Sequence, residues 1–397
     1  MMPTAAPDAT FGFDPYAIAE TRLSAPARAA LDGLQETLDR DIRPLLAHAW
    51  ETATMPPAIL DALIPLDLMR PAGVDAAEAG SSTFSGFRNY VLARTDVSVA
   101  TLYNAQSGLF RTTVALGGSP EQAAELDPRI ASFDLRGVFA LTEPDHGSDI
   151  AGGLAATARR AGDEWIIDGR KKWIGGAATS DVLAVFARDT ADGAVKAFLV
   201  PTSAPGVALE AISGKVSLRP MQNALISLDG VRVPESSRLQ GVNGWRDVAR
   251  ILRSMRSDVA WIATGLQAGA LEAAVRYVRE RRQFGRSLGG FQLVQEKLAR
   301  MLGNTTSSLA LVAQLSDRQD RGAFADEDSA LAKMHTARLA RETAALAREV
   351  LGGNGILLEH DAARFFADAE AVYSYEGTHD INSLIVGRAL TGESAFA

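Results

Sequence analysis

The sequence predicts an α+β protein in three parts: an N-terminal helical domain over residues 1–136, a middle antiparallel β domain over 137–236 and a C-terminal helical bundle over 237–397. Three observations predict it. Residues 17 to about 135 are rich in Ala and Leu at helical spacing, with few β-branched runs. Between 137 and 236, short apolar runs alternate with Asp-Gly pairs, which are hairpin signals. From about 246 the apolar period returns to that of a helix.

The elements follow in order. Pro56, Pro57 and Pro65 punctuate the N-terminal helices, since proline opens a helix and cannot continue one. In the middle region, Trp165, Ile166 and Ile167 precede Asp168-Gly169, and Lys171-Lys172-Trp173-Ile174 follow. This spacing predicts a hairpin. Asp192-Gly193 and Asp229-Gly230 repeat the pattern, with Leu183–Phe186 and Ala197–Val200 as strands. Val248, Ile251, Leu252, Met255, Val259, Ile262, Ala263 and Leu266 then fall on one helical stripe. Further helices are predicted near 290–320, 326–351 and 361–390, separated by Gly285–Gly290 and Gly352–Gly355. Long helices with short breaks make an antiparallel bundle.

Composition limits the chemistry. At 397 residues the chain is too long for one core. A hydrophobic share of 47% and a charged share of 22% suit a folded globular enzyme. The net charge of −8 argues against nucleic-acid binding. No apolar run is long enough to span a membrane. The N-terminus does not read as a signal peptide, nor GESAFA as a peroxisomal signal, so a cytoplasmic location is expected. The absence of cysteine excludes disulfides, thiolate nucleophiles and iron–sulfur clusters. The five histidines show no metal-ligand spacing, so no metal site is expected. There is no G-x-S-x-G elbow and no G-x-G-x-x-G between a strand and a helix.

Four segments are richer than a scaffold requires. FALTEPDHGSDI (139–150) offers backbone N–H groups and hydroxyls to an anion or polar ring, though it also suits a helix-to-strand connector. KKWIGGA (171–177) lets a flat ligand approach the backbone, or places a core Trp beside a bulge. RERRQFG (279–285), followed by Phe291-Gln292, could hold a pyrophosphate or form a solvated helix end. The fourth pairs LGGNGI (351–356) with YSYEGTHDIN (373–382). There Glu376 stands between Tyr375 and Gly377, where desolvation would raise its pKa towards that of a general base; the plainer alternative is a helix-capping Glu.

These segments, in this order and layout, resemble the acyl-CoA dehydrogenase family from about residue 40 to the end. EAVYSYEGTHDINSLIVGRALTG (370–392) is similar to the glutaryl-CoA dehydrogenase branch. RPMQN (219–223), MLGN (301–304) and ARETAALAREVLGGNGIL (340–357) resemble short-chain acyl-CoA oxidases of plants in that branch. The resemblance implies a homotetramer with FAD between the β domain and the bundle. It implies FAD contacts from Phe139, Leu141, Thr142, Gly147, Ser148, Trp173, Ile174, Gly175 and Thr378. Arg281, Phe284 and Gln292 would hold the diphosphate and adenosine across a subunit interface, and Leu351, Gly352 and Gly353 would complete that site. Phe396 would lie near the flavin. Ser148, Arg256 and Gly377 would meet an acyl-CoA thioester, and Glu376 would be the catalytic base. Some relatives carry the base just before the arginine matching Arg256; here that residue is Met255, which cannot take a proton.

Two departures stand out. Ala93 and Ala100 occupy the positions where glutaryl-specific enzymes carry a Glu and an Arg, so the acyl chain is expected to be short or branched and uncharged. Gly175 replaces a Thr or Ser of most dehydrogenases, leaving room beside the flavin for O2. The implied function is FAD-dependent α,β-dehydrogenation, with electrons passing to an electron-transfer flavoprotein. The alternatives are an oxidase using O2, a biosynthetic flavoenzyme acting on an unusual acyl thioester, and a non-catalytic FAD-binding homologue.

Overall fold

The computed structural model describes residues 9–395, and the chain forms two compact units. One comprises the chain up to Thr101, Val216–Pro220 and the chain from Arg256; the other comprises Leu102–Lys215 and Met221–Met255.

The second unit is built on a seven-stranded sheet: β1 (Gly137–Ala140), β2 (Thr157–Ala161), β3 (Glu164–Gly175), β4 (Val182–Asp189), β5 (Val195–Pro201), β6 (Val207–Ala211) and β7 (Asn223–Pro234). The order is β1-β4-β2-β3-β7-β6, with β5 also on β4. Most pairs are antiparallel, but β1 and β2 each run parallel to β4. The sheet is therefore mixed, where alternation alone predicted an antiparallel one. Trp165, Ile167, Leu183, Val185, Phe198, Val200, Ile226 and Val231 fill its core.

Asp192-Gly193 lies at the turn between β4 and β5, as its sequence predicts. The other two Asp-Gly pairs do not turn the chain. Both lie inside long strands, where the β3–β7 register shifts between Ile167 and Gly169. The Gly230 N–H donates to the Asp168 carboxylate at 2.7 Å, so the pairs face each other across a bulge. A Cβ on Gly169 would sit 2.6 Å from the Ala156 Cβ, so close approach requires glycine there. The hairpin turn is instead Gly162-Asp163, with Gly162 at φ +66°.

The first unit is helical. Helix Ser82–Thr95 is buried along nearly its whole length. It packs on the part of helix Trp245–Glu280 that belongs to this unit. A Cβ on Gly265 would lie 2.4 Å from the Tyr90 carbonyl oxygen, and one on Gly269 2.2 Å from that of Arg94. These glycines, one turn apart, let the helices meet backbone to backbone. Helices Gln292–Asp320, Asp326–Val350, Asp361–Ser374 and His379–Thr391 complete the unit. The last two replace the single stretch expected over 361–390; the break falls at Tyr375–Thr378.

Candidate active site

In the helical unit, helix Asp361–Ser374 ends and the chain reverses through two left-handed residues, Glu376 at φ +54° and Gly377 at φ +86°. Glycine adopts this conformation freely. A glutamate held in it costs on the order of 1–3 kcal/mol, and such strain concentrates at functional sites. Thr378 caps the next helix, its hydroxyl oxygen accepting from the Ile381 N–H at 3.2 Å. The Thr378 hydroxyl proton therefore remains free to donate.

Glu376 keeps part of its surface, yet protein crowds its carboxylate. Burial pushes its pKa up to about 7; Arg256 and Lys333 pull it down, and Asp258 adds to the rise. The Glu376 N–H donates to no acceptor among the described residues. Arg256, also shielded from solvent, feels the charges of Asp326 and Glu376. The structure thus brings Glu376, Gly377, Thr378 and Arg256 together. Met255 is buried among apolar side chains.

The same unit carries a second group. Helix Trp245–Glu280 stops at Glu280, and Arg282–Ser287 form a tight hairpin. Its turn is Phe284 (φ +50°) and Gly285 (φ +82°), the mirror-image geometry of a two-residue hairpin. Phe284 is 92% exposed, with its ring edge-on to Phe291 at 6.1 Å between centroids. Arg281 and Gln292 are exposed beside it in sequence. Leu351 is buried, while the Cβ positions of Gly352 and Gly353 meet open space. Among the described residues no hydrogen bond or ion pair joins this group to the Glu376 turn. Phe396 lies outside the described residues.

In the sheet unit, the 141–148 loop lies against strand β3, with the Lys172 N–H donating to the Thr142 carbonyl at 2.8 Å. Trp173 is 53% exposed at φ +67°. Gly147 and Ser148 are exposed. Phe139 packs on Phe186, ring centroids 4.9 Å apart. Leu141 and Ile174 are core side chains, leaving only their backbones to touch a ligand. Among the described residues, eight non-glycine residues lie at positive φ, and three of them are the predicted Trp173, Phe284 and Glu376.

Gly175 differs from expectation. A Cβ there would lie 2.4 Å from the Met221 Cε and 3.3 Å from the Asn223 Nδ2. The tip of the flexible Met221 side chain occupies the space left by the missing side chain. Gly175→Thr is expected to displace the Met221 side chain and cost about 1 kcal/mol, the low end for overpacking because a methionine tip can move. A lower thermal midpoint, partly restored by adding Met221→Ala, would show it.

Sequence reasoning missed the residues that support the site. Lys171, fully buried, donates to the Leu141 carbonyl (3.0 Å) and to the Glu143 carboxylate (2.8 Å). Glu143 also accepts from the N–H groups of Ala155 (2.7 Å) and Ala156 (2.9 Å). Burial lowers the Lys171 pKa to about 8. Glu143 is held below the usual carboxylate range although burial works against it, because Lys171 and the two N–H groups favour its charge. The Asn223 amide donates to the Trp173 carbonyl at 3.1 Å. One signal existed for Lys171: a lysine at an inward position of an alternating strand.

The family model of the acyl-CoA dehydrogenase middle domain matches residues 138–231, and that of the C-terminal domain matches 242–391. The chain belongs to the acyl-CoA dehydrogenase family. This acyl-CoA dehydrogenase homologue is an oxidoreductase of the class acting on CH–CH bonds. It is 31% identical to the probable acyl-CoA dehydrogenase YngJ of Bacillus subtilis, over 88% of this chain and 94% of that one. A glutaryl-CoA dehydrogenase structure from Mycobacterium smegmatis superposes with a TM-score of 0.88 at 36% identity, covering 97% of this chain and 99% of the other. Another from that organism, in complex with FADH2, gives 0.88 at 32% identity over 95% and 97%. Among the described residues no helix is long and apolar enough to cross a membrane, and no group of three or more His, Cys, Asp or Glu could hold a metal ion.

Proposed function

We propose that the protein is an FAD-dependent dehydrogenase that removes hydrogen from Cα and Cβ of a short or branched acyl-CoA thioester, with Glu376 as the base. The observation that carries this is the Glu376 turn: a strained, enclosed carboxylate whose pKa of about 7 suits proton abstraction near neutral pH.

The residues present fit a dinucleotide with flat rings. Trp173 and Phe284 offer exposed aromatic faces, and Gly147, Gly352 and Gly353 leave open space at their Cβ positions. Trp173, Ser148 and the backbone around Leu141, Thr142 and Ile174 would contact FAD, and Arg281, Phe284, Gln292, Gly352, Gly353 and Thr378 would supply further FAD contacts. Bound FAD supplies the acceptor for the hydride that leaves Cβ.

The chain's own groups handle the proton. The ionised Glu376 carboxylate takes the α-proton and becomes the neutral acid its surroundings tolerate. The uncommitted Glu376 N–H can donate to the thioester oxygen as negative charge develops there. Arg256 offsets charge on Glu376 before the transfer. Electrons would then pass to an electron-transfer flavoprotein. The exposed apolar side chains Phe284, Leu293 and Leu390 support assembly into a homotetramer. The oxidase reading would require the Met221 side chain, whose tip lies beside Gly175, to move aside. Anaerobic flavin bleaching against a panel of acyl-CoAs tests the proposal; no bleaching by any of them would reject it.

Glutaryl-CoA is expected to be a poor substrate relative to butyryl-CoA. Ala93 and Ala100 are fully buried, and neighbouring Arg94 is paired with Glu272 at 2.9 Å. An unpaired carboxylate in such surroundings should cost about 10²-fold or more in kcat/KM. Comparable values for the two substrates would refute the uncharged acyl pocket.

A further inference from the structure

Helix Asp326–Val350 places one lysine, Lys333, wholly inside the protein. Its ammonium donates to the Tyr373 carbonyl at 3.0 Å and to the Gly377 carbonyl at 2.7 Å. These carbonyls bracket Glu376. The first belongs to the last turn of helix Asp361–Ser374, where backbone oxygens lack helical partners. The second is shared with the Asn382 side chain, which donates to Gly377 at 2.8 Å and to Thr378 at 3.0 Å. Lys333 and Asn382 together hold the carbonyls around a glutamate at φ +54°.

We propose that Lys333 is a positioning residue for the reaction, clamping the Tyr373 and Gly377 carbonyls so that the left-handed turn presents the Glu376 carboxylate, and acting in its protonated form as a counter-charge to it. This rests on Glu376 being the base. The electrostatics agree: burial brings Lys333 down to about 7, Glu376 raises it and Arg256 lowers it. Lys333 and Arg256 in turn favour the ionised Glu376, which Asp258 disfavours. Glu376 and Lys333 therefore titrate as a coupled pair, with Arg256 and Asp258 as the other charges acting on the carboxylate.

The test compares FAD-loaded wild type with Lys333→Met, Lys333→Gln and Lys333→Arg, using butyryl-CoA and amide hydrogen exchange. In the neutral variants kcat should fall on the order of 10- to 10²-fold with little change in KM, as expected when a reacting group is displaced. Without the counter-charge, the acid limb of the kcat/KM profile should move up by about one pH unit. Lys333→Arg should keep the limb near its wild-type position, even if the larger head lowers kcat. Amides of residues 375–378 should exchange faster in Lys333→Gln while those of helix Asp326–Val350 stay protected. If Lys333→Met does not fold, the Gln and Arg variants carry the same comparison. A folded neutral variant with unchanged kcat, limb and exchange overturns the proposal. An arginine variant shifted as far as the glutamine variant overturns the counter-charge. Glu376→Gln serves as the control: wild-type turnover there would reject the base, while the exchange data would still judge the clamp.

Discussion

Glu376→Gln is expected to keep its fold and its FAD while losing about 10²–10⁴ in turnover, the usual effect of removing a general base. The amide nearly matches the carboxyl in shape and cannot accept a proton from carbon. In wild type the reactive form is the carboxylate. With a pKa of about 7, kcat/KM should therefore rise with pH and level off above neutrality. Stopped-flow flavin reduction across pH measures both effects. Near wild-type reduction by the variant would remove Glu376 from the mechanism.

The same substitution has a thermodynamic signature. Burial, the largest cause, raises the folded-state pKa of Glu376 to about 7, against about 4.3 for an unperturbed glutamate. Below the unfolded value both states are protonated, and the stabilising contribution is fully present. As pH rises the unfolded chain ionises first, and the contribution is lost by the time pH passes the folded value. A glutamine cannot ionise. The stability of Glu376→Gln relative to wild type should therefore grow between pH 5 and pH 8, by at most on the order of 3 kcal/mol. Urea unfolding at the two pH values reads this difference. A gap that does not widen would mean that the carboxylate is not desolvated.

Patterns local in sequence were legible. The helical stripe from Val248, the strands around Leu183 and Ala197 and the glycine breaks between bundle helices all gave real elements. What failed depended on distant chain. An Asp-Gly pair signals a local kink; whether it turns the chain or bulges a strand depends on the partner, and Asp168 finds its own at Gly230. The parallel pairing of β1 with β4 joins residues some 45 apart, which alternation cannot foresee. Gly175 looked empty because Met221, which fills the space, comes from beyond three intervening strands. Lysines 171 and 333 were not singled out from sequence, because their acceptors are mostly backbone carbonyls, which leave no matching side chain to look for. The Glu376–Gly377 reversal left a local signal, because its Glu-Gly sequence carries the flexible residue that allows the chain to turn.

Glu143→Ala is expected to cost about 3–5 kcal/mol of stability, the range for breaking a buried ion pair from one side. Lys171 would keep only the Leu141 carbonyl at 3.0 Å, and the N–H groups of Ala155 and Ala156 would lose the carboxylate they share. Its ammonium is already stressed, since burial pulls its pKa down to about 8. Replacing both partners, as Glu143→Gln with Lys171→Met, should recover much of the loss: the buried charges go, and the amide oxygen can still accept from one N–H. The pair ties the 141–148 loop to strand β3, and Thr142 and Trp173 lie on these two segments. Glu143→Ala should therefore also release FAD more readily than wild type at temperatures where the protein is still folded. Denaturant midpoints for the single and double variants, with flavin fluorescence as a measure of release, decide it. A single variant as stable as the double would show that the lysine finds water or another acceptor, and that the pair does not hold the loop.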